Sequence, residues 1–101
     1  MSPRPGASAA TGFDLDAAWD VHPQVAVRPE PFGALLYHYG TRRLSFLKDR
    51  TLLDAVRALD DEPSAREALL SAGVRHDDLD RYRAALSTLA SSHMLVERST
   101  G

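Results

Sequence analysis

The sequence predicts an α+β fold: a three-stranded antiparallel sheet followed by three helices. Three observations carry this. The stretch Val25–Lys48 breaks into three short runs of strand-forming residues, Val25–Arg28, Ala34–Tyr39 and Arg42–Lys48. Beyond Lys48 the apolar residues recur at helical spacing. Two helix-start signatures then punctuate the second half of the chain.

In the first strand Val25 and Val27 alternate with Gln24, Ala26 and Arg28, which suits a half-buried strand. Pro29 and Pro31 cannot donate to a ladder, so pairing is expected to stop there. Gly33 releases the chain into Ala34–Tyr39, which is apolar at nearly every position and reads as buried on both faces. A tight Gly40–Thr41 turn follows, with Gly40 expected to supply the positive φ. In Arg42–Lys48, Leu44 and Phe46 fall on one face and Arg43, Ser45 and Leu47 on the other.

Leu52, Leu53, Val56 and Leu59 make the apolar side of a first helix, with Thr51–Asp54 or Asp49 as its cap. The run Asp60-Asp61-Glu62-Pro63 ends it. Ser64 and Glu67 open a second helix, Leu69 and Leu70 supply its apolar side, and Gly73 is a natural residue to close it. Asp77 or Asp78 caps the third, whose Leu79, Tyr82, Leu86 and Leu89 form one stripe. Met94-Leu95-Val96 reads as a last extended piece. Phe13, Leu15 and Trp19 read as a segment packed onto the sheet. The order is that of a winged helix-turn-helix fold whose wing precedes the helices. Residues 1–12, rich in Pro, Gly, Ser and Ala, are expected to be a disordered tail, 13–98 a single domain, and the polar ending, 99–101, frayed.

Composition narrows the function. The chain has 101 residues, which suits one domain with one modest core. It has no cysteine, which excludes disulfides, thiolate metal sites, thiol nucleophiles and a protein-ligated iron–sulfur cluster. The formal net charge of −2 argues against a module that lives on phosphate contacts. No apolar run is long enough to span a membrane, and the N-terminus lacks the apolar stretch of a secretory signal. A cytoplasmic protein is expected.

No catalytic constellation stands out. His22, His38, His76 and His93 are scattered, none at i, i+4 with another, so no metal site is expected. The pairs Asp60-Asp61 and Asp77-Asp78 lie at helix ends, where capping and the helix dipole explain them. No nucleophile elbow and no phosphate-binding glycine loop occurs. The expectation is a binding module without enzyme activity or cofactor.

The binding surface follows from strand order in the sequence. A sheet that ends in Arg42–Lys48 leaves that strand's outer edge open to a guest strand. Main-chain bonds would supply affinity, and pockets under alternate side chains would supply selectivity. Arg42, Arg43 and Lys48 would steer an acidic or polar peptide, although cations on an edge strand also serve simply to prevent aggregation. If the third helix lies alongside, a groove forms between it and the strand. The candidate peptide-binding residues are Arg42, Arg43, Leu44, Ser45, Phe46, Leu47 and Lys48 on the strand. On the helix they are Tyr82, Arg83, Leu86 and Leu89. An open edge could also pair with a second copy of the chain.

The run HPQVAVRPEPFGALLYHYGTRRLSFLKDRTLLDAVRAL and the ending ALSTLASSHMLVER resemble the small peptide chaperones of mycofactocin biosynthesis, a branch of the PqqD-like RiPP recognition elements. The resemblance spans His22 to Arg98. It implies a sheet-plus-three-helix winged fold that binds the leader of a short ribosomal precursor peptide. It further implies that the peptide's C-terminus is presented to a radical S-adenosylmethionine maturase, which oxidatively decarboxylates a terminal tyrosine and then crosslinks it to the preceding valine. In that wider family the leader adds to the third strand and lies against the third helix. The alternative is a winged-helix DNA binder, with Arg81 and Arg83 on its recognition helix. Asp77, Asp78 and Asp80 on the same element count against it.

Overall fold

The structure, a computed structural model, describes residues 13–98. Residues 1–12 and 99–101, assigned to a tail and a frayed end, lie outside it. Among the described residues, five strands and three helices follow in order: β1 Trp19–Val21, β2 Val25–Glu30, β3 Gly33–His38, β4 Arg43–Leu47, α1 Arg50–Ala58, α2 Ala65–Ser71, α3 Leu79–Ser91 and β5 Leu95–Glu97. The expected three-stranded antiparallel sheet is present in the order β2-β3-β4, so β2 and β4 are its two margins. The three helices pack against one of its faces.

The register explains which face is covered. Ala34 pairs with Leu47 and Leu36 with Ser45, and these inward residues lie under the helices. Ala34, Leu36 and Leu47 are buried with Leu53, Val56, Leu69, Leu86 and Leu89 in one core. Leu35 pairs with Phe46 and Tyr37 with Leu44 on the opposite face. That face is not covered: Leu44 and Phe46 are 54% and 60% exposed.

Two features of the strands differ from the sequence expectation. Pairing does not stop at Pro29, which faces Ala34 across the ladder, and it continues to Glu30 opposite Gly33. A proline is tolerated because β2 is a margin, where a missing N–H deprives no neighbour. The β3–β4 connection is a four-residue loop, Tyr39–Arg42, closed by Arg42 N–H donating to the His38 carbonyl at 2.7 Å. The positive φ belongs to Arg42 (64°), not to Gly40. A Cβ at position 40 would crowd the end of the Gln24 side chain and the His38 ring.

The helix boundaries follow local chemistry. The Asp49 carboxylate accepts from Thr51 N–H at 2.8 Å and Leu52 N–H at 3.4 Å, so Asp49 is the cap of α1. Ser64 Oγ accepts from Glu67 N–H at 3.1 Å and starts α2. That helix ends in a Schellman turn: Val74 N–H reaches the Leu69 carbonyl and Gly73 N–H the Leu70 carbonyl, with Gly73 at φ 98°. The same pattern closes α3, where Met94 N–H bonds to Leu89 and His93 N–H to Ala90. There His93 takes the left-handed position at φ 65°. Asp78 precedes α3 without a side-chain capping bond.

A second sheet joins the two ends of the domain. Trp19 pairs with Glu97, Asp20 with Val96 and Val21 with Leu95. Arg98 locks this ribbon to the end of α1. Its guanidinium donates to Asp20 Oδ1 at 2.7 Å and to the carbonyls of Leu59 (2.8 Å), Trp19 (3.1 Å) and Glu62 (3.4 Å). Phe13 stacks on Trp19 at 4.3 Å and both are buried, while the main chain of this segment accepts from Ala65 and Arg66 N–H at the start of α2.

Candidate functional site

The site is the free margin of β4 together with the groove beside it. Among the described residues, β4 pairs with β3 on one side only. Along its other side runs a groove of about 340 Å³ lined by Leu44–Leu47, Leu52, Ala85, Thr88 and Leu89. Alternation along β4 sends Ser45 and Leu47 toward the helices, while the bonding groups of the strand's outer side face the groove mouth. α3 contributes Ala85, Thr88 and Leu89, which lie at i, i+3 and i+4 and so share one face.

The expected residues divide into groups. Leu44, Ser45, Phe46 and Leu47 all line the groove, as does Leu89. Arg42, Arg43 and Lys48 are exposed around it, and among the described residues none of the three forms an ion pair. Leu86 is fully buried and contributes packing beneath the groove instead of lining it. Arg83 reaches Asp80 at 3.6 Å. Tyr82 is 8% exposed, and its hydroxyl donates to Asp49 Oδ2 at 2.5 Å. Leu52 and Ala85 were not among the expected residues. Leu52 is a buried core residue of α1 that also reaches the groove, and Ala85 flanks the apolar stripe of α3.

Asp49 organises the end of the site. It follows β4, caps α1 and receives Tyr82 from α3, so one carboxylate ties together the three elements that bound the groove. Burial alone would raise its pKa. The hydrogen bonds from Tyr82, Thr51 and Leu52, with Arg81 nearby, outweigh burial and hold the carboxyl below the usual range. The same bond, helped by burial, raises the Tyr82 phenol.

At the opposite end of β4, His38 holds the loop. Its ring is 3% exposed, and its Nδ1 accepts from Gly40 N–H at 3.0 Å and Thr41 N–H at 3.1 Å. That pattern requires a neutral ring with the proton on Nε2. His22 lies against it with ring centroids 4.4 Å apart, so these two histidines are neighbours and not scattered. Burial, then the nearby His22 and His93, lowers the His38 pKa. Among the described residues no group of three or more His, Cys, Asp or Glu could hold a metal ion.

With this geometry in place, the comparisons become informative. A family model described as the peptide chaperone MftB family matches residues 18–96, which include all three helices and every strand residue except Glu97 at the end of β5. The chain belongs to the peptide chaperone MftB family. The chain is 62% identical over 88 residues to the peptide chaperone MftB of Mycobacterium tuberculosis, covering 87% of this chain and 81% of that protein. It is 58% identical over 95 residues to the MftB of Mycobacterium ulcerans, covering 94% and 87%. The MftB of Mycolicibacterium smegmatis is 60% identical over 84 residues, covering 83% and 82%. No solved structure matches. The matched region contains β4, α1 and α3, and therefore the whole MftB-family groove described above.

Proposed function

We propose that this chain is a peptide chaperone of mycofactocin biosynthesis, acting in the cytoplasm without catalysis of its own. It binds the leader of a ribosomally made precursor peptide as an added strand on β4. It then holds that peptide for a radical S-adenosylmethionine maturase. The observation that carries this reading is a strand with one unpaired side opening onto an apolar groove. Main-chain bonding to β4 would supply affinity for many sequences. Apolar side chains dropping between Leu52, Ala85 and Leu89 would supply choice among them. The cations at Arg42, Arg43 and Lys48 suit a leader with carboxylates. The family name, peptide chaperone, agrees with a guest of this kind.

No observation favours the DNA-binding alternative. Arg81 sits beside Asp78 (3.8 Å), just before α3, and Arg83 beside Asp80 (3.6 Å) within it, which offsets their charge. The test is a titration of isotopically labelled chain with a synthetic leader peptide. Saturable amide shifts confined to 42–48, Leu52 and 82–89 support strand addition. Absence of saturable binding, or shifts centred on β2, overturns it.

A further inference from the structure

The sheet has a second surface that meets the groove along β4, where Leu44 and Phe46 border both. Its face away from the helices carries Leu35, Tyr37, Leu44 and Phe46, joined at the hairpin tips by Phe32 and Tyr39. Phe32, Tyr39, Leu44 and Phe46 are 47%, 59%, 54% and 60% exposed. The Phe32 and Phe46 rings stand 6.2 Å apart and, with Lys48, frame a shallow pocket of about 430 Å³. Large side chains displayed together on one face mark an interaction surface, whereas single ones do not.

We infer that this outer face is where a second, folded protein docks, one with an apolar projection rimmed by carboxylates, while the guest strand occupies the adjoining margin of β4. This rests on the strand-addition reading and deepens it: the folded partner is the maturase. Charge decides the occupant. Lys48 lies on the rim of the pocket and Arg42 and Arg43 at the loop end, and no carboxylate among the described residues pairs with any of them. A second copy docked face to face by a twofold axis would set these cations against their own images. An acidic-rimmed partner neutralises them.

The two sites share β4. A strand added there alternates as β4 does, so every second guest side chain emerges on the outer face beside Leu44 and Phe46. The partner would then touch chaperone and guest at once. Guest binding enlarges the surface that the partner meets, and the two binding events reinforce each other.

The test uses the full chain, the maturase and a synthetic leader peptide, with Phe32→Glu and Phe32→Ser as variants. Phe32 sits at the β2–β3 tip, beside Phe46 but not among the residues that line the groove, so both variants should keep the wild-type circular dichroism and melt. The expected result is a loss of about tenfold or more in affinity for the maturase, as for a buried aromatic anchor. Affinity for the leader should stay within about twofold. Wild-type affinity for the maturase should rise when leader is present. Unchanged maturase binding in both variants overturns the inference, as does an equal loss of leader binding. A wild-type homodimer that either variant dissociates overturns the chosen occupant. If the wild type binds maturase through Phe32 but no leader at all, strand addition fails while the docking face stands.

Discussion

Tyr82 on α3 donates its hydroxyl to Asp49, 33 residues earlier, at 2.5 Å. The same carboxylate caps α1 from the residue that follows Lys48. Strand, first helix and third helix are thus pinned at one point, and the groove opens between them at a fixed width.

Tyr82→Phe removes this bond and leaves the cap. A hydrogen bond to a charged acceptor contributes about 1.5–3 kcal/mol, and urea melts should show a loss in that range. Asp49→Ala forfeits the cap as well, which adds about 1 kcal/mol. Because the folded Asp49 pKa lies below its ordinary 3.8, its contribution is complete above that value and fades as pH falls through the folded pKa. Acid titration of the melting temperature should therefore show a smaller drop in Asp49→Asn than in wild type.

Leu44→Pro and Ser45→Pro form a paired test of the open margin. Successive residues of a strand aim their main-chain groups to opposite sides. One proline therefore removes a bond to β3, and the other removes only a donor on the free side. One variant should melt early. The other should keep its melting temperature and lose leader binding. Two equally unstable variants, or two that both bind normally, would contradict a free β4.

Charge reversal at Arg42 and Arg43 should act on encounter, not on folding. Both residues are exposed, and substitutions at such sites usually stay within about 0.5 kcal/mol. Stopped-flow association with an acidic leader at low salt should slow by about tenfold, and the difference should shrink as salt is added. Equal on-rates at every ionic strength would remove steering from the account.

Thr88 is exposed on the groove side of α3. Thr88→Trp should fill the groove and abolish leader binding, while the melt changes by no more than about 0.5 kcal/mol. A leader that still binds with wild-type affinity would place the guest elsewhere.

Loop stability should depend on the charge of His38. The folded pKa is lowered from 6.5, so the neutral ring contributes fully above that pH and the contribution is lost as pH falls through the folded value. Protonation of Nδ1 would eject the Gly40 and Thr41 donors, and burial, His22 and His93 all discourage the added charge. Melting temperature should fall between neutral pH and pH 5. His38→Asn, whose Oδ1 can accept the same two N–H groups, should flatten that slope.

Much of this fold is legible in local chemistry. Alternation locates β2 and β4, Ser64 and Gly73 bracket α2, and the Leu79–Leu89 stripe marks α3. The β1–β5 ribbon is harder to foresee because its partners are 78 positions apart at Trp19 and Glu97, and three residues carry no readable period. Gly40 misleads because glycine usually signals a special φ, while here the positive φ falls two residues later, at Arg42. The groove lining on α3 is misjudged for a related reason. Apolar periodicity selects the face that enters the core, hence Leu86, whereas a groove is lined by its neighbours Ala85 and Thr88, whose chemistry is bland.

The two margins of the sheet are unequal. β2 ends in a segment with Pro29 and Pro31, which cannot extend a ladder, while β4 carries no proline. Growth of the sheet is therefore one-sided and self-terminating. On the strand-addition proposal each chain would take a single guest, so the margin that would receive a peptide would also set the stoichiometry at one to one.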